Sequence, residues 1–118
     1  MDEDVDMSKR EPDETAIRLS ALEQDILTLL IGREFYGLKI INAMKNAFEG
    51  SRPIGVGSLY PMLHKMEQKG LIRSWWGEET PEERGHARRR YYTATGFGER
   101  VLAFTQLRRQ SLAAWQST

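Results

Sequence analysis

The sequence predicts a mainly α-helical domain that carries one small β-hairpin. Apolar residues recur at helical spacing in four stretches, and two short β-prone runs lie between the third stretch and the fourth. The chain of 118 residues has the length of one domain, and its 40% hydrophobic residues suffice for a modest core. Cysteine is absent, which excludes a disulfide framework and suits a reducing cytoplasm.

Charge is distributed unevenly along the chain. The formal net charge is zero, which by itself argues against a nucleic-acid partner. Residues 1–19 hold seven acids and three bases, so the remaining chain carries fourteen bases and ten acids. Because residues 1–14 are polar and almost without apolar side chains, we expect them to form a disordered acidic arm. No apolar run reaches the ~18 residues that span a membrane, so we expect a cytoplasmic protein without membrane contact.

The first helix is predicted from a capping box. Ser20 and Glu23 have the spacing at which two side chains satisfy each other's backbone N–H groups at a helix start. A core-facing stripe follows and Gly32 ends it; the stripe consists of Leu19, Leu22, Ile26, Leu29 and Leu30. Helical phasing that begins at Thr15 is an open alternative.

A second helix opens at Tyr36-Gly37 and ends before the loop formers Gly50, Ser51 and Pro53. Its core stripe comprises Ile40, Ile41, Met44, Ala47 and Phe48. Followed by a third helix with a polar outer face, these two helices predict a helix-turn-helix arrangement.

The third helix is predicted over residues 58–69. Leu59, Met62, Leu63 and Met66 fall on one side of it, whereas Tyr60, His64, Lys65 and Gln68 fall on the other. Pro61 fits a first turn, and Gly70 is a natural stop. A helix of about 10–12 Å diameter fits the major groove of B-DNA, so we interpret this stretch as a recognition helix.

A hairpin follows the recognition helix. Residues 71–76 and 88–93 are predicted strands, joined by the long loop 77–87, and such a hairpin makes the fold a winged helix-turn-helix. Arg88, Arg89 and Arg90 can reach phosphates or a minor groove, or they form a solvated strand edge. Trp75, Trp76, Tyr91 and Tyr92 are expected to pack the ribbon onto the helices, with stacking on bases as the alternative.

The last helix is predicted over roughly 96–116, with Thr95 as its cap. Five apolar residues fall within an arc of about 80° and a sixth lies beside it; the set is Phe97, Val101, Phe104, Leu112 and Trp115, with Leu107 adjacent. This face predicts a homodimer, unless the helix folds back on its own core. Arg108 lies within the arc and either snorkels to water or pairs with an acid of a partner. We therefore predict a winged-helix domain over 15–94 and a dimerisation helix over 95–118.

Enzymatic chemistry is not expected. The two histidines, His64 and His86, have no metal-ligand spacing and no cysteine beside them, and no Gly-rich phosphate loop follows a strand. We expect no catalytic residues, no metal and no cofactor. A winged helix that binds only other proteins remains the competing class.

Several of these motifs resemble the PadR family of transcriptional regulators. The resemblance rests on Tyr36-Gly37, the run Ser58-Leu59-Tyr60-Pro61, the run 88–92 and Thr95-Gly96-Phe97-Gly98. It implies a homodimeric DNA-binding protein of the short subgroup with one C-terminal helix, usually a repressor, with the third helix in the major groove and the wing on the backbone or minor groove. Carried over by position, the DNA-binding residues are Ser58, Tyr60, His64, Lys65, Arg88, Arg89 and Arg90.

The family resemblance also implies a small-molecule effector between the dimer helices. Twofold symmetry of a dimer predicts an inverted-repeat site in double-stranded DNA, with half-sites roughly 10 base pairs apart or a multiple of that distance. The loop between the strands carries Glu78, Glu79, Glu82 and Glu83, which repel phosphate, so we expect the tip of the wing to stay off the DNA.

Overall fold

The structure is a computed structural model and describes residues 13–47, 54–78 and 88–117. These residues form a 3-10 turn, Glu14–Ala16, and four helices: α1 (Ala21–Leu30), α2 (Gly37–Ala47), α3 (Val56–Gln68) and α4 (Gly96–Ala114). Three strands, β1 (Phe35–Tyr36), β2 (Ile72–Trp76) and β3 (Arg90–Ala94), form an antiparallel sheet in the order β1-β3-β2. The mainly helical class with a hairpin is confirmed, and β1 is a strand that the sequence pattern did not predict.

The start of α1 has the predicted capping box. The Ser20 N–H donates to Glu23 Oε1 at 2.8 Å, and the Glu23 N–H donates to Ser20 Oγ at 3.1 Å. Phasing from Thr15 is not found, because Glu14–Ala16 form a separate turn capped by Asp13. Hydrogen bonds from the Thr15 hydroxyl and N–H lower the pKa of Asp13. Of the predicted acidic arm, residues 1–12 lie outside the described residues, whereas 13 and 14 belong to the turn and its cap.

Glu23 is buried and ties α1 to the end of α3. Its Oε2 lies 3.2 Å from Lys69 Nζ. Burial alone would raise the pKa of Glu23, but the Ser20 N–H and the Lys69 ammonium together outweigh burial, and the pKa is lowered. Since the folded pKa lies below the unfolded value, the carboxylate stabilises the fold at neutral pH. That stabilisation is lost as the pH falls through the folded pKa.

Glu23→Gln is therefore expected to lower the free energy of unfolding at pH 7 by about 1–2 kcal/mol. The difference from wild type should shrink as the pH falls through the folded pKa of Glu23, below which both side chains are neutral. Urea denaturation at several pH values measures it. Lys69→Met is the matched control, because it removes the ion pair and keeps the capping box, and it should cost less. A difference that stays constant from neutral to acid pH would contradict this role.

The core lies where the first three helices meet. Its fully buried side chains from these helices are Ile26, Leu27, Leu30, Ile40, Leu59, Leu63 and Met66. The predicted stripes of α1 and α3 are confirmed, with Leu22, Leu29 and Met62 only half-buried. In α2, Ile40 is buried and Ile41 and Met44 are half-buried against the core as predicted, whereas Ala47 is exposed; Phe48 lies outside the described residues.

α3 begins two residues earlier than predicted, at Val56, with Gly55 as its N-cap. Pro61 therefore lies in the second turn rather than the first. Its missing N–H removes one hydrogen bond near an exposed helix end, which the packed apolar face of α3 outweighs. The helix stops at a Schellman motif: the Gly70 N–H donates to the Glu67 carbonyl at 2.9 Å and the Leu71 N–H to the Met66 carbonyl at 3.0 Å. Gly70 has φ of 80°, so glycine is the residue that this stop favours.

The predicted hairpin is confirmed, with shifted ends. β2 pairs with β3 from Ile72 opposite Ala94 to Trp76 opposite Arg90. β3 begins at Arg90 instead of residue 88, so Arg88 and Arg89 precede the described strand. β1 adds a second partner by pairing with Tyr91 and Tyr92 of β3. Because an isolated two-stranded ribbon is marginal in water, this third strand helps to hold the base of the wing on the domain.

The first half of α4 packs on the chain's own core. Phe97, Val101, Leu102 and Thr105 are buried there, and Thr95 caps the helix by accepting from the Gly98 N–H at 2.9 Å. The alternative prediction, that the last helix folds back on its own core, is therefore confirmed for the first half of α4. Phe97 and Val101, which were predicted to form the dimer, have little or no exposed surface left for a partner. In the second half, Leu107, Leu112 and Trp115 are 59%, 69% and 72% exposed. Within the described residues, none of the helices is long and apolar enough to cross a membrane.

Candidate nucleic-acid interface

The outer face of α3 presents the predicted polar side chains. Because α3 buries Leu59, Leu63 and Met66 on one side, the exposed residues lie on the opposite side, within an arc of about 160°. This arc includes Ser58, Tyr60, Pro61, His64 and Lys65, all of which are exposed. Ser58 and Lys65 also border a shallow groove of about 320 Å³ between α1 and α3. The predicted helix residues therefore share one accessible surface.

The side chain of Tyr60, on α3, packs over Gly37, the first residue of α2. A Cβ atom built on Gly37 would overlap the Tyr60 hydroxyl and ring, and Gly37 is buried beneath them. Tyr60 nevertheless keeps 39% of its surface exposed. The Tyr36-Gly37 motif thus has a physical basis, because only glycine leaves room for the aromatic ring that joins the two helices.

A double-mutant cycle tests this contact. Gly37→Ala is expected to lower the free energy of unfolding by about 1 kcal/mol, because the ring of Tyr60 must move away from the new methyl group. In a Tyr60→Ala background the same substitution should cost nothing, since the overlap is gone. Urea denaturation of the four proteins gives the coupling. An equal cost in both backgrounds would show that Gly37 is needed for another reason.

Arg90 connects the wing to α3. Its Nε donates to Ser74 Oγ at 2.9 Å, and the Ser74 hydroxyl lies 2.7 Å from Glu67 Oε2, where it can donate. Arg90 Nη2 is 3.9 Å from Glu67 Oε1, and the guanidinium lies 5.1 Å from the centre of the Trp76 ring. Arg90 is half-buried in this network. Because its contacts join β3 to both β2 and α3, Arg90 is placed to hold the wing at a fixed angle to the helix. No local sequence pattern indicated the network, because its members lie on three elements.

Arg88 and Arg89 are exposed just before β3, at the loop end of the paired strands. Arg88 Nε donates to the Gly77 carbonyl at 3.0 Å and closes the described end of the hairpin. The Arg89 guanidinium lies 4.5 Å from the centre of the Tyr36 ring, over β1. Cation–aromatic contacts of this kind hold a charge in place while leaving it accessible. Of the wing-tip glutamates, Glu78 is exposed, and the other three lie outside the described residues.

The wing aromatics divide into two groups. Tyr91 stacks on Trp75 with ring centres 6.2 Å apart and meets Tyr36 edge-on at 5.7 Å, so three strands contribute to one aromatic row. Tyr92 faces the other way and is buried, which confirms the predicted packing for that residue. Trp76 is 53% exposed, so the prediction that it packs onto the helices is wrong. Its stacking partner is Arg90 instead.

A cleft of about 600 Å³ opens between the start of α2, α3 and the wing. Its lining contains four of the predicted residues, Tyr60, Arg88, Arg89 and Arg90, together with Tyr36, Leu38, Asn42, Trp76 and Tyr92. Burial raises the pKa of Tyr92, so its phenol is uncharged at neutral pH. Among the described residues, the lining of the cleft therefore combines three arginines with aromatic surface and includes no carboxylate. This arrangement suits a phosphodiester backbone.

Among residues 13–47, 54–78 and 88–117, no three histidine, cysteine or acidic side chains come together as a metal site would require. His64 stands exposed on α3, and His86 lies outside the described residues.

The helix-turn-helix, the three-stranded sheet and the cationic cleft between them define a winged-helix protein. The sequence profile of the transcriptional regulator PadR-like family matches residues 26–104. The chain belongs to this family, and it is therefore related to regulators of transcription that act on DNA.

Solved structures of similar proteins agree with this assignment. A PadR-like transcription factor from Bacteroides fragilis is 29% identical, with 78% of this chain and 82% of that chain covered and a TM-score of 0.67. A PadR family transcription regulator from Clostridium difficile is 28% identical, with 80% and 88% covered and a TM-score of 0.58. A transcriptional regulator from Clostridium thermocellum is 26% identical, with 81% and 93% covered and a TM-score of 0.63.

An uncharacterised protein of Lysinibacillus sphaericus is 27% identical over 82 residues, which are 70% of this chain and 72% of that protein.

Proposed function

We propose that this chain is a homodimeric, sequence-specific DNA-binding repressor. The observation that carries the proposal is the cleft, whose three arginines and Tyr60 lie beside the exposed face of α3. α3 enters the major groove, and the wing arginines contact the phosphate backbone or the adjacent minor groove. DNA binding alone is sufficient for repression, because a protein bound over a promoter blocks RNA polymerase from binding there.

The proposed roles divide between reading bases and holding phosphates. On α3, His64 and Lys65 hydrogen-bond to guanine N7 or O6, while Ser58 and Tyr60 bind phosphate oxygens. On the wing, Arg88 and Arg89 neutralise phosphates. Arg90 acts mainly by positioning the wing through Ser74 and Glu67, since its Nε is already used within the chain.

The dimer is proposed from the second half of α4. Leu107, Leu112 and Trp115 are exposed and Phe104 is half-buried, so this segment leaves an apolar surface that a second copy can cover. A twofold dimer presents two α3 helices, which predicts an inverted-repeat site with half-sites roughly 10 base pairs apart or a multiple of that distance.

Selection from a random-sequence DNA library tests the proposal and requires no known operator. Purified protein is expected to enrich an inverted repeat, and transcription from a promoter that carries this repeat should fall when the protein is added. Failure to enrich any sequence in low-salt buffer would favour the competing class, a winged helix that binds only proteins. Enrichment of a single, unrepeated element would contradict the dimer.

A further inference from the structure

The shallow groove between α1 and α3 lies on the other flank of α3 from the cationic cleft. Lys65 and Lys69 line this groove, and Tyr60 is the residue of α3 that lines the cleft. At about 100° per residue, the two lysines lie about 140° and about 180° around the helix from Tyr60. The groove and the cleft share no lining residue. We refer to the first as the α1–α3 groove; its polar lining is Ser20, Glu23, Ser58, Lys65 and Lys69.

The α1–α3 groove presents positive charge although it contains a carboxylate. Lys69 Nζ lies 3.2 Å from Glu23 Oε2, and the side chain of Lys69 is 43% exposed whereas that of Glu23 is 9% exposed. The ammonium is therefore the accessible member of the ion pair. Since an ammonium has three N–H donors, Lys69 can bind an anion without leaving Glu23. Lys65 adds a second exposed ammonium one helical turn away.

Two exposed hydroxyl groups border the same groove. Ser20 Oγ accepts from the Glu23 N–H at 3.1 Å, and among the described residues no group accepts its hydroxyl proton. The hydroxyl of Ser58 makes no hydrogen bond within those residues. Serine and lysine side chains are common donors to phosphate oxygens. The groove therefore combines charge and donors that suit a phosphate group.

The position of the groove indicates which phosphate it can reach. The major groove of B-DNA has the backbone of one strand along each of its two edges. With α3 in the major groove, its two flanks face different strands. The cleft and its arginines lie on the Tyr60 flank, whereas the α1–α3 groove lies on the Lys69 flank.

We propose that the α1–α3 groove binds a phosphate of the DNA strand opposite the one that faces the cleft. Lys69 supplies the charge, and the Ser20 hydroxyl donates from α1, so that α1 becomes part of the interface. This inference rests on the DNA binding proposed above and adds two residues that the proposed function does not use. Contacts to both strands fix the position of α3 across the major groove, which is the role of phosphate contacts in general.

Two substitutions in one ion pair should change DNA affinity in opposite directions. Lys69→Met is expected to weaken binding of the full chain to the enriched duplex by about 10-fold at 0.15 M salt. The slope of log K against log salt should become shallower by about 2, because a dimer loses two phosphate contacts. Glu23→Gln should tighten binding by about threefold or more, because Lys69 then has no competing carboxylate. Since both variants are expected to be less stable than wild type, a purely structural role would weaken binding in both.

Two control variants separate the position of the charge from its presence. Lys69→Arg keeps a cation in the groove and should bind within about threefold of wild type. Lys45→Met removes an exposed lysine of α2 that lines neither the cleft nor the groove. It should leave both the affinity and the salt slope near those of wild type. Fluorescence anisotropy measures binding, and far-UV circular dichroism confirms that each variant is folded.

Methylphosphonate substitution of the duplex locates the contact. A neutral methylphosphonate placed at the contacted phosphate should weaken binding of the wild type and have no effect on Lys69→Met. A scan of both strands identifies this position in each half-site. It should lie on the other strand from the positions that lose their effect in Arg89→Ala.

Unchanged affinity in Lys69→Met, or weaker binding in both Lys69→Met and Glu23→Gln, would overturn the groove contact. Positions for Lys69 and Arg89 on the same strand would overturn it as well. In each of these cases the wild type still binds the enriched duplex, so the proposed function survives. A wild type that enriches no duplex would overturn both.

Discussion

Replacing Lys65 and Arg89 together with alanine is expected to weaken binding to the enriched duplex by at least about 100-fold at 0.15 M salt. Lys65 lies on the exposed face of α3, and Arg89 lines the cleft just before β3. The pair therefore samples both parts of the proposed interface. In a dimer the double substitution removes four cations from the DNA-facing surface.

The salt dependence provides the independent measurement. If each protomer of the wild type neutralises about four phosphates, log K falls with log salt at a slope near −7. Loss of four contacts should bring the slope to about −4. Fluorescence anisotropy titrations between about 0.05 and 0.2 M salt cover the useful range.

Arg73→Ala combined with Arg100→Ala is the matched control for charge. Both arginines are exposed, and neither contributes to the lining of the cleft. This control removes the same number of cations and should leave the slope near that of wild type. An equal loss of slope in the two double variants would mean that only the overall charge matters and that the assigned residues have no special position.

Gly98→Ala is expected to cause the largest loss of stability, about 2–3 kcal/mol. A Cβ atom at this position would collide with the Leu71 carbonyl oxygen and lie 3.1 Å from Leu27 Cδ2. The obstacle is backbone at the end of the recognition helix, so it cannot rotate away as a flexible side chain does. Either α4 or the segment after α3 must shift, and urea denaturation measures the cost.

Gly96→Ala is the control for the general effect of replacing glycine in a helix. Its Cβ atom would meet only Arg100 Nη1 at 3.6 Å, an ordinary contact. This substitution should be neutral or stabilise by up to about 1 kcal/mol. Comparable losses in the two variants would indicate that α4 needs glycine for its backbone conformation rather than for its close approach to residue 71.

Features that depend on neighbours along the chain were predictable from the sequence. The Ser20–Glu23 capping box needs a spacing of three residues, and the stop at Gly70 needs one glycine after an apolar stripe. The stripe Leu59, Leu63 and Met66 likewise follows from helical periodicity, and all three are buried. The polar outer face of α3, which carries half of the candidate site, followed from the same pattern.

Features that depend on pairing across the chain were not predictable in this way. β1 has two residues and exists because it pairs with Tyr91 and Tyr92, more than 50 positions later. The contact between Arg90, Ser74 and Glu67 joins three elements, so no single stretch indicates it. For the same reason the sequence assigned Arg90 to DNA without showing that its Nε is used inside the protein.

The residues that were predicted to form a dimer illustrate a third limit. Helical periodicity grouped Phe97 and Val101 with Leu112 on one side of α4, and Trp115 follows as the C-cap of that helix. Periodicity does not say how far the chain's own core reaches along a helix, and here the core covers only the first half. The division between buried and exposed residues of α4 came from the burial of each side chain.

Hydroxyl-radical footprinting of the enriched duplex tests the proposed DNA-bound dimer most directly. We expect two protected half-sites on one face of the duplex, centred about 10 base pairs apart or a multiple of that distance, with protection of the backbone beside each where the wing lies. Protection of a single half-site at saturating protein, or protection that does not depend on sequence, would contradict a symmetric dimer that presents two α3 helices to DNA.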